Sequence, residues 1–238
     1  MDEILNPTIY IGNFEWREPI TTLTDFLVAI VALIGFFKFN SYKGAKSLSF
    51  NYFKFYFLCF AIGMTSAAWM GHGLQAYVSP EFKIIGWVCA ATGLLVFGLG
   101  SFIEIKDQIK KPFYLILKYL FITQYITFVF LMLNPLSSDF ILAQLSSTIS
   151  LIAFIFPVHL YNYLKTKVKG SIFIVLTITY SIVPGLIYSN QLSINKWFNY
   201  HDISHVLMAF FMLLMIVSTS KLSMLENVKS RIIQKKHI

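Results

Sequence analysis

Charged side chains are scarce in this chain of 238 residues: Asp, Glu, Lys and Arg make up 13% of it, whereas soluble domains carry about 25%. Cysteine is rarer still. Cys59 and Cys89 lie in apolar stretches, at a spacing that fits neither a cysteine zinc site nor a disulfide framework. Hydrophobic residues supply 57% of the chain, and the mean hydropathy is +0.68. The composition therefore excludes an ordinary soluble domain and predicts an integral membrane protein.

Long loops, internal repeats and low-complexity tracts are also missing. Seven apolar stretches are each long enough to cross the roughly 30 Å of hydrocarbon in a bilayer, and short polar links separate them. Short links favour antiparallel neighbouring helices. We therefore expect an all-α integral membrane fold, a single bundle of seven transmembrane helices over residues 1–238, with an extracytoplasmic segment 1–20 and a basic cytoplasmic tail 221–238. The predicted spans cover about 21–39, 53–78, 82–103, 113–133, 139–164, 171–190 and 198–220.

Basic residues collect on one side of the predicted bundle. Of the 19 Lys and Arg residues, all but Arg17, Lys83 and Lys196 fall on this side. Because cytoplasmic loops carry the excess of Lys and Arg, we predict a multi-pass membrane protein with its N-terminus outside and its C-terminus in the cytoplasm. The net charge of +8 then reflects topology, and we expect no nucleic-acid partner.

Three of the five histidines fall at one predicted depth. His72 lies near the outer end of span 2, and His201 and His205 lie in the first turns of span 7, whereas His159 and His237 fall on the cytoplasmic side. Residues four apart project from the same face of a helix. His201 and His205 could therefore bind one metal ion, and His72 from a facing helix would complete three protein ligands.

Three histidines with a fourth position open for water are typical of a catalytic zinc site, since zinc lowers the pKa of its bound water to about 7. The alternative is that these histidines lie in the headgroup region and hydrogen-bond to carbonyl groups or lipid phosphates. Ionisable groups within membrane spans are costly and are often functional. The pattern therefore favours a zinc site.

Two stretches carry a resemblance to a known superfamily. They are "TSAAWMGHGL" (Thr65 to Leu74) and "HDISHVL" (His201 to Leu207). Together with the seven spans, they resemble the superfamily of alkaline ceramidases, adiponectin-type receptors and haemolysin III-like proteins. The predicted orientation is similar to that of the ceramidase branch. The resemblance implies a Zn²⁺ ion held by His72, His201 and His205, and hydrolysis of a membrane lipid amide similar to ceramide.

A third stretch, "EWREPITTLTD" (Glu15 to Asp25), is similar to the acidic, tryptophan-containing segment that binds calcium in alkaline ceramidases. The resemblance implies a Ca²⁺ site with Glu15, Glu18 and Asp25 as candidate ligands, and carboxylates suit this cation. The alternative is that Glu15 and Glu18 are solvated loop charges and that Asp25 lies at the tip of the first helix.

The chain departs from the superfamily pattern at two positions. The superfamily has a serine four residues before the histidine of span 2, where this chain has Ala68; Ser66 is six residues before His72 and would point elsewhere on a regular helix. The superfamily also has an aspartate in span 3, where this chain has no carboxylate. Candidates for a catalytic base or supporting carboxylate are therefore Asp202, Asp25 and Glu81, with Ser66 as the candidate serine.

Two other functions stay open. The first is a sensor or receptor-like protein with a structural zinc ion, which the two departures favour. The second is an intramembrane haem protein, with His72 and either His201 or His205 as axial ligands. A retinal-binding pigment is disfavoured because span 7 has no buried lysine for a Schiff base, and Lys221 stands at its cytoplasmic end.

Overall fold

The fold begins with a small β-hairpin that the hydropathy pattern did not predict. The computed structural model describes residues 7–44, 48–134 and 139–236, apart from the side chains of Leu48 and 223–236. Strands β1 (Thr8–Ile11) and β2 (Phe14–Arg17) pair antiparallel, with Ile11 opposite Phe14. The two-residue turn between them contains Gly12, whose φ of 60° is readily adopted only by glycine. The hairpin lies in the predicted extracytoplasmic segment.

Nine α-helices make up most of the described part of the chain, and seven helical stretches are long and apolar enough to cross a membrane. The predicted seven-span fold and multi-pass membrane location are thereby confirmed. The helices are α1 (Pro19–Asn40), α2 (Leu48–Ser66), α3 (Lys83–Ile105), α4 (Lys111–Met132), α5 (Phe140–Thr148), α6 (Phe156–Thr166), α7 (Lys169–Tyr180), α8 (Ile182–Ser189) and α9 (Tyr200–Lys236). The spans are Pro19–Asn40, Ser49–Gly73, Pro80–Ile105, Lys111–Met132, Phe140–Thr166, Lys169–Ser189 and Tyr200–Leu222.

Four spans are not regular α-helices throughout. Span 3 begins with a short 3₁₀ helix, Pro80–Phe82. Span 2 ends in a π-helix, Ala67–Gly73, and span 5 contains a second one, Ile149–Ile155. Span 6 is interrupted at Ser181, between α7 and α8, three residues before Pro184, which cannot donate a backbone hydrogen bond. Single π-helical turns are frequent at functional sites, and the first of these contains His72.

The order of packing places span 1 between spans 2 and 7. Helix α1 packs against α2 on one side and α9 on the other, and α3 packs against α2 and α4. Helix α2 contributes the most of the largest fully buried side chains, Phe53, Tyr56 and Phe57, and α9 contributes Met212 and Met215. This order brings the predicted outer ends of spans 1, 2 and 7 together.

Helices α2 and α3 touch through their backbones at two glycines. A Cβ atom on Gly63 would lie 2.9 Å from the carbonyl oxygen of Gly86, and a Cβ atom on Gly86 would lie 3.0 Å from that of Gly63. Small residues permit such close approach between helices in membranes. This contact fixes α2, and the π-helix that follows it, against α3.

The Gly63→Ala variant tests this contact. We expect its free energy of unfolding in detergent to fall by about 1–3 kcal/mol, because the added methyl group forces the two backbones apart. Gly185→Ala is the control, since this glycine is also helical and a Cβ atom there would meet nothing within 4 Å. Equal unfolding midpoints for the two variants would contradict the assignment.

Candidate metal centre

The three predicted ligands meet at the predicted outer side of the bundle. His72 projects from the π-helix at the end of span 2, and His201 and His205 project from the first turns of α9. The ring of His72 has its centroid 6.2 Å from that of His201 and 6.2 Å from that of His205. His159 lies elsewhere, next to Ser101, and His237 falls outside the described residues.

Asp25 lies between two of these histidines. Its carboxyl group is contributed by α1 and is 1% exposed. Oδ1 lies 3.1 Å from Nδ1 of His205, and Oδ2 lies 3.6 Å from Nε2 of His72. These are ion-pair distances, yet neither carboxyl oxygen has a partner with hydrogen-bond geometry among the described residues. A buried carboxylate without hydrogen bonds is strongly unfavourable unless a cation compensates it.

The carboxylate of Glu18 contacts Nδ1 of His72, whereas Nε2 of the same ring faces Asp25. The Glu18 carboxylate hydrogen-bonds to Nδ1 of His72 and accepts a second hydrogen bond, of 2.9 Å, from Nε2 of Gln75. Burial by itself would raise the pKa of Glu18, but the hydrogen bond and the charge of His72 outweigh burial and hold that pKa below its usual value. Metal-binding histidines commonly have a carboxylate on their second nitrogen, which fixes the tautomer and ring orientation. Glu18 therefore directs Nε2 of His72 towards Asp25.

The β-hairpin positions Glu18. Glu18 has a left-handed backbone conformation, with φ of 45°, which few residues other than glycine adopt. Nε1 of Trp16 donates a 3.3 Å hydrogen bond to Oγ1 of Thr22 in α1. Phe14 stacks on Tyr77, whose hydroxyl accepts a 2.7 Å hydrogen bond from the Glu15 backbone. The hairpin is thus attached to the ends of spans 1 and 2 on both sides of Glu18.

The three candidate calcium ligands have different partners. The carboxylate of Glu15 pairs with Nε of Arg17 at 2.6 Å, that of Glu18 with His72, and that of Asp25 faces His72 and His205. The alternative in which Glu18 is a solvated loop charge does not hold, because its side chain is 8% exposed. The calcium site stays a prediction.

Asp202 begins helix α9. It is fully buried, and its Oδ2 accepts a 2.7 Å hydrogen bond from the backbone N–H of Asn199. In return, Oδ1 of Asn199 accepts a 2.8 Å hydrogen bond from the N–H of His201. This arrangement resembles a capping box, with the N–H of His201, the second helical residue, in the place of the N–H of Asp202. The contacts therefore give Asp202 a role in starting the helix that carries His201 and His205.

Among the contacts of the described residues, none joins Glu81 or Ser66 to the histidines. Glu81 is exposed in a short 3₁₀ helix, Pro80–Phe82, that precedes α3. Ser66 is the last residue of α2, and among the contacts described for this part of the chain none joins its hydroxyl to His72. Of the four candidate catalytic residues, Asp25 is the one that contacts two of the histidines.

The candidate ligands are of the types that bind zinc, but they lie farther apart than the ligands of a bound ion. Among the described residues, no group of three or more His, Cys, Asp or Glu side chains is close enough together to hold a metal ion. Imidazoles bound to one zinc ion at 2.0–2.1 Å have ring centroids about 5 Å apart, compared with 6.2 Å between these rings. Imidazole nitrogens beside a carboxylate without hydrogen bonds have the chemistry of a zinc site. Binding would require the rings to approach by about 1 Å.

The chain matches the model of a protein family whose function is unknown. Residues 20–224 match a family model described as "Family of unknown function (DUF6962)". No curated protein matches the chain. The matched residues include all the candidate ligands of the centre except Glu15 and Glu18.

Proposed function

The chain belongs to DUF6962, and we propose that it is a zinc-dependent intramembrane hydrolase that cleaves a lipid amide similar to ceramide. The observation that carries this proposal is the approach of three histidine rings where spans 1, 2 and 7 end. A buried carboxylate that makes no hydrogen bond to a described residue lies between two of them. The resemblance of "TSAAWMGHGL" and "HDISHVL" to the ceramidase superfamily supports the choice of an amide bond. A membrane lipid suits a site at this depth in a bundle of seven spans.

In this proposal, some residues bind the ion and others position the ligands. His72 and His205, with His201 as the third ligand that the sequence predicts, would hold the ion. Glu18 fixes the ring of His72 through Nδ1, and Asp202 caps the helix that carries the other two histidines. When bound, zinc supplies a nucleophile at neutral pH by acidifying water, and it polarises a carbonyl group.

The test is hydrolysis by purified protein in mixed micelles with a lipid amide, and with the matching ester as a second substrate. We expect the zinc-loaded protein to release fatty acid. Chelation should lower the rate at least about tenfold, and added zinc should restore it. The His72→Ala variant, treated in the same way, is expected to stay inactive with or without zinc.

A sensor with a structural zinc ion is the second candidate, and the absence of a contact between Ser66 and His72 among the described residues favours it. Removal of a structural ion unfolds a protein, whereas removal of a catalytic ion leaves it folded and inactive. A zinc-loaded protein that cleaves neither substrate and unfolds on chelation would favour the sensor. The haem alternative is disfavoured because Asp25 occupies the space between His72 and His205.

A further inference from the structure

We propose that Asp25 is the third protein ligand of the metal ion at this centre, in place of His201. The ion would then be held by His72, His205 and one carboxylate, with a fourth position left open. This inference rests on the proposed function, because it requires a metal ion at the same centre. It changes one member of the ligand set and assigns Asp25 to metal binding, leaving proton transfer to another group.

Of the two distances around Asp25, one falls within the range between ligands of one ion and the other is slightly shorter. Donor atoms on a tetrahedral zinc ion with bonds of 2.0–2.2 Å lie about 3.3–3.6 Å from one another. Oδ1 of Asp25 is 3.1 Å from Nδ1 of His205, and Oδ2 is 3.6 Å from Nε2 of His72. The one separation that exceeds a bound arrangement is between the two histidine rings, at 6.2 Å between centroids.

The carboxylates of Asp25 and Glu18 have different hydrogen-bond partners, which indicates different roles. Glu18 has the partners of an orienting carboxylate, one histidine nitrogen and one amide N–H. Neither oxygen of Asp25 makes a hydrogen bond to a described residue, although both point at histidine nitrogens. A carboxylate whose two oxygens each face a different histidine nitrogen without a hydrogen bond has the arrangement of a fellow ligand. A cation between the three groups would satisfy all of them.

The location of Asp25 makes an uncompensated charge costly. Asp25 is the seventh residue of α1, so it lies about 9 Å along the helix from Pro19. At that depth it has lost contact with solvent, and charged groups within membrane spans are expensive unless paired. A divalent cation bound directly to the carboxylate would offset this cost.

His201 has different surroundings. Its ring lies over that of Tyr200, with centroids 4.2 Å apart, and edge-on to Tyr188 at 5.3 Å. It is therefore held by aromatic packing beside the centre, whereas His205 faces the carboxylate directly. Two histidines and one carboxylate form a known catalytic zinc set that leaves a position for water.

Zinc binding by three variants separates the two ligand sets. Wild type, Asp25→Asn and His201→Ala would be purified in detergent, stripped of metal and titrated with zinc against a chelator of known affinity. We expect Asp25→Asn to lose more than about 100-fold in affinity, beyond the range for an orienting group. His201→Ala should stay within about threefold of wild type, as should the control Asp139→Asn, which alters an aspartate that caps α5.

Thermal unfolding with and without zinc gives a readout that a purely structural role would not produce. Zinc should raise the unfolding temperature of wild type, because the folded protein binds the ion. Asp25→Asn should gain much less from zinc, because it lacks one ligand. An equal rise in the two proteins would overturn the inference.

The results that would contradict this inference differ from those that would contradict the proposed function. If Asp25→Asn binds zinc as wild type does and His201→Ala does not, Asp25 is not a ligand and the site of three histidines stands. If wild type binds no zinc, the inference and the proposed function fall together.

Discussion

Replacing His72 with alanine is expected to reduce the zinc content of the purified protein from about one ion per chain to near zero. His72 contributes one ligand nitrogen, and its ring also connects Glu18 to Asp25. The loss of one of three protein ligands leaves too few donors to hold the ion. His205→Ala should have the same effect, because its Nδ1 faces Asp25 at 3.1 Å. Elemental analysis of protein purified in detergent measures both.

His159→Ala is the control for this prediction. His159 is a fully buried histidine that lies in a separate polar cluster, where Nε2 is 2.9 Å from Oγ of Ser101. Its loss should lower stability and leave the zinc content unchanged. Equal zinc loss in His159→Ala and His72→Ala would show that the loss follows from general destabilisation. Full zinc content in His72→Ala would show that the centre described above does not bind the ion.

Replacing Glu18 with alanine is expected to weaken zinc binding about 10–100-fold without unfolding the bundle. Glu18 does not need to touch the ion to have this effect. Its hydrogen bond to Nδ1 fixes the tautomer and orientation of His72, and its negative charge makes the other nitrogen a stronger donor. Competition titration with a chelator of known zinc affinity measures the change.

The chain provides a matched control three residues earlier. Glu15 is also a glutamate of the N-terminal segment, but its carboxylate pairs with Arg17. Glu15→Ala should therefore leave zinc affinity within about threefold of wild type, since no ligand loses its orienting group. If the two variants bind zinc equally well, the link between Glu18 and His72 has no effect on the centre. An equal loss in both would instead point to the hairpin as a whole.

Hydropathy determined the spans because the hydrocarbon layer itself fixes the length of apolar helix that crosses it. It also determined the depth of each histidine, since rise per residue is constant along a helix. The shared face of His201 and His205 follows from their spacing on one helix. For these reasons the sequence predicted that His72 and the α9 pair would meet, and their rings lie 6.2 Å apart.

Two other features of the site were indicated less strongly by the sequence. Asp25 is a carboxylate inside a predicted span, which is unusual in itself, and it was named as one of several candidates. Asn199 and Asp202 have the spacing of a capping box, which gives Asp202 a structural role. The β-hairpin, the π-helix that carries His72 and the hydrogen bond of Glu18 to His72 were not predicted.

Only the tertiary structure decided which carboxylate reaches the histidines. In a bilayer, lipid tails are as apolar as the helix core, so hydrophobic periodicity does not mark the face that a helix buries. Which helices become neighbours depends instead on close packing, as at Gly63 and Gly86. Helix α1 packs between span 2 and α9. Asp25 of α1 therefore lies between His72 and His205. Glu81 lies at the surface.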